Sequence, residues 1–330
     1  MSGVPRFFLS AALPILSLCA FAQTPASIPT RSVLVNVLDR GGNAVRDLTK
    51  DNFQLKINKQ PVGVIGTDYS LAPRRIVVLL DMSGSMSGRR DANNKWRIAS
   101  EAVEDLLAQT PADVPIALLS FSDHVHDTFD FRESRSAISR WLRAGPTQRS
   151  SLRGRTALRE AIVEGLRMLQ PFRPGDAVYA ITDGGDNASH ISMDKTKAAL
   201  RDSGVRLFAF LFAEPMPPGE EVVGLDSLVE MAGDSGGFVF GIPARGVVGG
   251  FSFLPSWDAE YDYDARTREK IKLYTQALNI QVSGFYRVQI AAPVRHGKAG
   301  KVSLEIIDAA GKTRKDVSYT FQRAISPAAK

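Results

Sequence analysis

The chain has 330 residues, of which 44% are hydrophobic and 23% charged, and its formal net charge is +6. That length allows one core of about 200 residues plus smaller additions. The modest positive excess biases the chain toward acidic partners, and without any aromatic-interleaved basic motif it excludes DNA and RNA as expected ligands.

Residues 1–22 read as an export signal. Arg6 supplies one positive charge, residues 7–21 are almost wholly apolar, and Ala20-Phe21-Ala22 sets small residues where a signal peptidase reads. The apolar run contains Pro14 and is shorter than the roughly 20 residues of a spanning helix. Cleavage after Ala22 is therefore expected, with a periplasmic or extracellular destination. The sole cysteine, Cys19, leaves with the signal, and Leu18 before it argues against lipidation. The mature chain then has no thiol and relies on its core alone. No later apolar run is long enough to span a membrane.

After a Pro-containing linker at residues 24–30, residues 32–38 read as a strand rich in β-branched side chains, followed by turn chemistry at 39–43. Residues 47–52 are a mainly polar connection. Strands follow at 53–57 and 62–66, separated by a turn at Asn58-Lys59. These make a small N-terminal β unit, 23–73, too small to be very stable without packing on something larger.

The pattern then changes. The apolar run 76–80 suits a strand buried on both faces. Helical spacing at 95–107, a strand at 114–121, helices at 136–142 and 156–169, and a second buried run at 177–181 follow. A helix at 194–200, a strand at 205–212, a helix at 225–232 and a strand at 238–242 complete the alternation. Strand and helix in turn predict an α/β domain over 74–245, a doubly wound, mostly parallel sheet. A C-terminal region, 246–330, carries a helix at 266–278 and strands at 285–291, 302–307 and 317–322.

Three loops at strand or helix ends carry oxygen ligands. The first strand of the α/β domain runs into Asp81-Met82-Ser83-Gly84-Ser85, one carboxylate and two hydroxyls at alternate positions of a tight turn. Gly154-Arg155-Thr156 presents a third hydroxyl, and Thr182-Asp183-Gly184-Gly185-Asp186 a second carboxylate. In a doubly wound sheet these loops lie at one edge, outside the carboxyl ends of the strands. Five oxygens from Asp81, Ser83, Ser85, Thr156 and Asp183 suit a hard divalent cation, Mg²⁺ or Mn²⁺, with Ca²⁺ as an alternative.

This constellation resembles the metal-ion-dependent adhesion site of von Willebrand factor A domains. The flanking segments, Leu48-Thr49-Lys50-Asp51-Asn52-Phe53 and Phe285-Tyr286-Arg287, resemble exported bacterial proteins of the VWFA-related, acidobacterial type. The resemblance implies a Rossmann-like fold in which Ser83, Ser85 and Thr156 bind the metal directly. Asp81 and Asp183 would bind directly or through water, and Asp186 would stand behind them. It further implies an open metal position that accepts an Asp or Glu carboxylate from another protein or surface polymer. Arg155 departs from the small residue common in the family, and with Arg153 it would form a positive ligand rim.

Other residues are weighed against plainer roles. His124 and His126 sit two apart, hence on one face of a strand end, but no third nitrogen or sulfur ligand is evident. His190 follows Asp183 by a short loop and is a nominal general base. The arginines between 132 and 159 suit either the metal rim or solvated faces. The acidic stretch 258–264 favours the start of the following helix through its dipole. No nucleophile or oxyanion hole is evident, so a non-enzymatic binding module is expected, with a scaffolding component of a cell-envelope complex as the alternative.

Overall fold

The computed structural model describes residues 30–71, 74–87, 94–145, 152, 154–213, 220–243, 261–291 and 299–326. The export signal, the linker to residue 29 and Arg153 lie outside them. The chain opens with β1 (Thr30–Asp39), β2 (Phe53–Ile57) and β3 (Gln60–Ser70). The polar connection before β2 contains a short 3-10 turn, Lys50–Asn52, in which Thr49 and Asn52 cap one another.

Next come β4 (Ile76–Asp81), α1 (Gly84–Ser87), α2 (Lys95–Gln109), β5 (Ile116–Phe121) and β6 (Val125–Phe129). They are followed by α3 (Arg135–Ala144), α4 (Leu158–Met168), β7 (Ala177–Thr182) and α5 (Met193–Ser203). The α/β alternation ends with β8 (Arg206–Ala213), α6 (Glu220–Ser235) and β9 (Val239–Pro243). These strands form a six-stranded sheet in the order β6-β5-β4-β7-β8-β9, parallel throughout except for the antiparallel edge strand β6. The doubly wound, mostly parallel sheet expected from the sequence is the fold.

Every residue of β4 is buried, because each face of the sheet carries helices. Ile76, Val78 and Leu80 join α2 and α3 in one core, while Val77 and Leu79 join α4, α5 and α6 in the other. The period-two alternation of a strand thus feeds two cores at once. The chain leaves β4 toward β5 on one side and later returns to build β7 on the other. The crevice between the carboxyl ends of β4 and β7 is therefore the switch point at which ligands bind in such sheets.

The C-terminal segment contributes α7 (Ala265–Ser283), β10 (Phe285–Ala291), β11 (Gly300–Ile306), β12 (Val317–Phe321) and β13 (Ala324–Ile325). Two results depart from the chain-order reading. First, α7 completes a helical layer of the α/β sheet: Ile271, Leu278 and Val282 share a core with Ile98 and Phe210. The Thr110 hydroxyl donates to Asn279 Oδ1 at 2.9 Å. Second, the N- and C-terminal strands interleave in one seven-stranded sheet, β12-β1-β10-β3-β2-β11-β13. β1 pairs with β10 and β12, and β2 with β11, so strands near both ends of the chain close one core around Val35, Phe53, Val288 and Leu304. The pairing partner of β1 lies some 250 residues away, and local pattern carries no trace of it.

Buried arginines join the two sheets. Arg206, at the start of β8, donates to Asn36 Oδ1 and to the Gln281 carbonyl, both at 2.8 Å. Burial, with Arg74 acting in the same direction, brings its pKa down to about 9. Arg74, just before β4, donates to the Ser70 carbonyl at the end of β3 at 2.9 Å and lies 4.5 Å from the Phe285 ring centroid of β10.

Candidate metal centre

The carboxyl end of β4 delivers Asp81, which is wholly buried. Its side chain is fixed from two directions. Oδ1 accepts from the Ser83 backbone N–H at 2.8 Å, and Oδ2 accepts from the Thr182 hydroxyl at 2.6 Å. Ser83 Oγ lies 3.0 Å from Ser85 Oγ, and the Ser85 hydroxyl hydrogen-bonds Asp183. Asp81, Ser83, Ser85 and Asp183 therefore form one connected cluster at the switch point.

Thr156 reaches the same edge through its backbone. The Gly84 N–H donates to the Gly154 carbonyl at 3.1 Å, which ties the β4 loop to the segment before Thr156. The Thr156 N–H donates to Asn187 Oδ1 at 2.9 Å, and its carbonyl accepts from the N–H groups of Asn187 and Ala188. The sequence places Thr156 in the first turn of a helix, but α4 begins at Leu158, so Thr156 sits just ahead of it, outside the helix. Its backbone groups are consequently free to bind the 187–188 segment. Gly184 has φ +87, the left-handed region, and a Cβ there would meet Leu211 at 2.8 Å. Only glycine turns the chain out of β7 so sharply.

Asp186, expected behind the ligands, holds the opening of α4. It accepts from the Arg159 N–H at 3.0 Å and the Ser189 N–H at 3.2 Å, and pairs with the Arg159 guanidinium at 3.4 Å. Arg155 is exposed beside Thr156. Several other described arginines of this region have structural partners. Arg135 donates to four carbonyls around the end of α2, and Arg143 pairs with Glu104. His190 is exposed, with its backbone N–H on Glu160. Asp264 caps α7 by accepting from Thr267 N–H at 2.8 Å, the plain role expected of the acidic stretch.

His124 and His126 do share a face, with ring centroids 4.3 Å apart. Asp123 adds the third donor not seen in the sequence, all three ligand atoms lying within 4.8 Å of one another at the exposed start of β6.

One residue at the centre was not foreseen. Lys95, the first residue of α2, is buried and sets its ammonium 3.0 Å from Asp183 Oδ2 and 3.1 Å from the Ser85 carbonyl. The two carboxylates consequently behave differently. Burial and the neighbouring Asp183 push the Asp81 pKa up. Burial also works against ionisation of Asp183, but the Lys95 ammonium and the Ser85 hydroxyl outweigh it and hold that carboxyl low. Two close carboxylates, two hydroxyls 3.0 Å apart and burial together fit a hard divalent cation, which favours ionisation of both acids.

Residues 76–185 match the family model described as von Willebrand factor type A domain. No curated protein matches the chain. Among solved structures, a von Willebrand factor type A protein from Catenulispora acidiphila is 13% identical, with a TM-score of 0.44, covering 88% of this chain and 74% of that one. An aerotolerance-related membrane protein from Bacteroides fragilis is 13% identical, with a TM-score of 0.42, covering 63% of this chain and 98% of that one. Proximal thread matrix protein 1 from the mussel byssus, with a zinc-occupied MIDAS motif, is 18% identical, with a TM-score of 0.42, covering 70% and 50%. Among the described residues, no helix is long and apolar enough to cross a membrane.

Proposed function

We propose that this protein is an exported, non-enzymatic binding module that captures an Asp or Glu carboxylate of a partner protein or surface polymer. Asp81, Ser83, Ser85, Thr156 and Asp183 would hold the divalent ion, Mg²⁺ or Mn²⁺ being the hard cations this oxygen set suits. The observation that carries the reading is the convergence of the buried Asp81 carboxylate, the Asp183 carboxylate and two serine hydroxyls 3.0 Å apart at one sheet edge. Two like charges brought close together repel, and a cation between them relieves that cost. When bound, the metal supplies an electrophilic position for an external carboxylate.

The chain's own residues do the rest. Thr182 and the Ser83 N–H fix the Asp81 carboxylate in one orientation. The 187–188 segment fixes Thr156. Arg155 offers a positive charge at the rim, which steers acidic partners.

The test is thermal. The melting temperature of wild type is compared in EDTA, Mg²⁺ and Mn²⁺ beside Asp81→Ala. Divalent ions are expected to raise the wild-type midpoint and leave the variant unmoved; equal responses would remove the metal site from the account. Capture of envelope partners with and without EDTA then separates adhesion from scaffolding, since metal-independent capture favours the second.

A further inference from the structure

The feature that the proposed function leaves unused is Lys95. A lysine is a poor choice for the first turn of a helix, because its charge opposes the positive end of the helix dipole. Burying it adds a desolvation cost that only a well-made ion pair offsets. The chain nevertheless places Lys95 there, 2% exposed at its side chain, against an Asp183 side chain that is 6% exposed. The ammonium is held from several sides. Asp183 Oδ2 and the Ser85 carbonyl accept from it, and the Tyr261 ring centroid lies 5.6 Å away. Asn94 Nδ2 donates to the Tyr261 carbonyl at 2.8 Å, so the residue before Lys95 fastens the same ring's backbone. Ile98, Ala99 and Ala102 bury the next turns of α2 in the core, so the helix start cannot drift. The cation is built into the site.

We propose that Lys95 is a resident counter-cation that makes the divalent metal and the partner's carboxylate bind interdependently, each strengthening the other. This rests on the metal-site reading given above. The reason is charge. With both acids ionised, Asp81, Asp183 and Lys95 sum to one negative charge. A divalent ion alone overcompensates them and leaves a buried positive excess beside the Lys95 ammonium. A carboxylate arriving at the metal restores neutrality. Without the lysine charge the order reverses: the metal alone neutralises the two acids, and an external carboxylate adds an uncompensated negative charge. Lys95 therefore weakens metal binding in the absence of a partner, favours the carboxylate at the metal-loaded site, and so lets the arriving acid recover the metal affinity that the ammonium costs. Linkage requires the converse, so the metal raises the affinity for the acid by the same factor. The consequence is a protein whose site is half compensated by its own side chain until ion and acid arrive together.

The experiment titrates the full chain with Mn²⁺, read by calorimetry and by the electron-spin signal of free Mn²⁺. Each titration is run in saturating acetate and in chloride of equal ionic strength, with acetate as the carboxylate probe. Wild type is expected to bind Mn²⁺ on the order of tenfold more tightly in acetate, a coupling of ordinary size. Lys95→Gln and Lys95→Met are expected to bind Mn²⁺ more tightly than wild type in chloride and to lose most of the acetate effect. Lys95→Arg keeps the charge and should keep the coupling. Equal Mn²⁺ affinity in wild type and the neutral variants, or an undiminished acetate effect in those variants, overturns the proposal. If either neutral variant fails to fold, the wild-type arms still decide, because absence of acetate enhancement there also overturns it. Failure of every version to bind Mn²⁺ is a different result, since it removes the metal site itself.

Discussion

The Thr182 hydroxyl donates to Asp81 Oδ2 at 2.6 Å and also accepts from the Gly184 N–H at 3.1 Å, so one side chain links the ends of β4 and β7. Both partners are buried. Thr182→Val removes the hydroxyl at nearly constant volume and leaves a carboxylate oxygen and an N–H without their partner. The expected cost is about 1–3 kcal/mol of stability, together with a roughly 10–100-fold loss of Mn²⁺ affinity from the freed carboxylate. Thr182→Ser should restore most of both. Denaturant midpoints and metal titration of the two variants check this.

The pair of Lys95 with Asp183 predicts an asymmetric mutational response. Asp183→Asn removes a counter-charge 3.0 Å from a buried ammonium and should destabilise the metal-free protein by about 3–5 kcal/mol. The double substitution Lys95→Met with Asp183→Leu removes both charges and should recover a large part of that loss while abolishing Mn²⁺ binding. Urea unfolding in EDTA measures the first effect, and titration of the refolded double variant measures the second.

Gly175 lies where the two sheets meet. Its φ is +92, and a Cβ would stand 2.2 Å from Arg74 Nε and 2.4 Å from Phe285 Cε1. Gly175→Ala therefore combines backbone strain of about 1 kcal/mol or more with an unavoidable clash. A fall in the melting midpoint larger than that of Gly185→Ala, whose Cβ would meet nothing within 4 Å, is the expected result.

Glu160 anchors the loop that follows β7. Burial alone would raise its pKa, but the Ser189 hydroxyl and the N–H groups of Ile191 and His190 hold it below the ordinary value of 4.5. A depressed carboxyl contributes stability that is complete above the unfolded pKa and is lost as pH falls through the folded one. Wild type should therefore be more stable than Glu160→Gln at pH 6. The gap should close as pH drops below 4.5. Urea midpoints at pH 6, 4 and 3 provide the check.

Much of the α/β sheet was legible because its signal is local. An apolar run such as 76–80 can only be buried on both faces, and the helices at 95–107 and 194–200 declare their inner side by spacing. Strand β6 was missed for the opposite reason: its residues Val125–Phe129 are mostly exposed, so no burial pattern marks them. The four clustered side chains of Asp81, Ser83, Ser85 and Asp183 were readable because each directly follows or turns out of a strand. Strand ends share one edge in a parallel sheet.

What the sequence determined by itself was the alternating fold, the edge at which ligands collect, and which oxygen-bearing side chains arrive there. Tertiary structure alone decided the charge at that edge and the frame around the domain. Lys95 reads as an ordinary helix start, and only packing of α2 beneath Asp183 and Tyr261 turns it into the cation of the site. Strands from both ends read as separate additions, and only their pairing makes one sheet, locked to the other through Arg206 and Asn36. Periodicity reports which way a residue faces along its own element. It holds no information about which distant group will be waiting there, and the cost of burying a charge depends on that group.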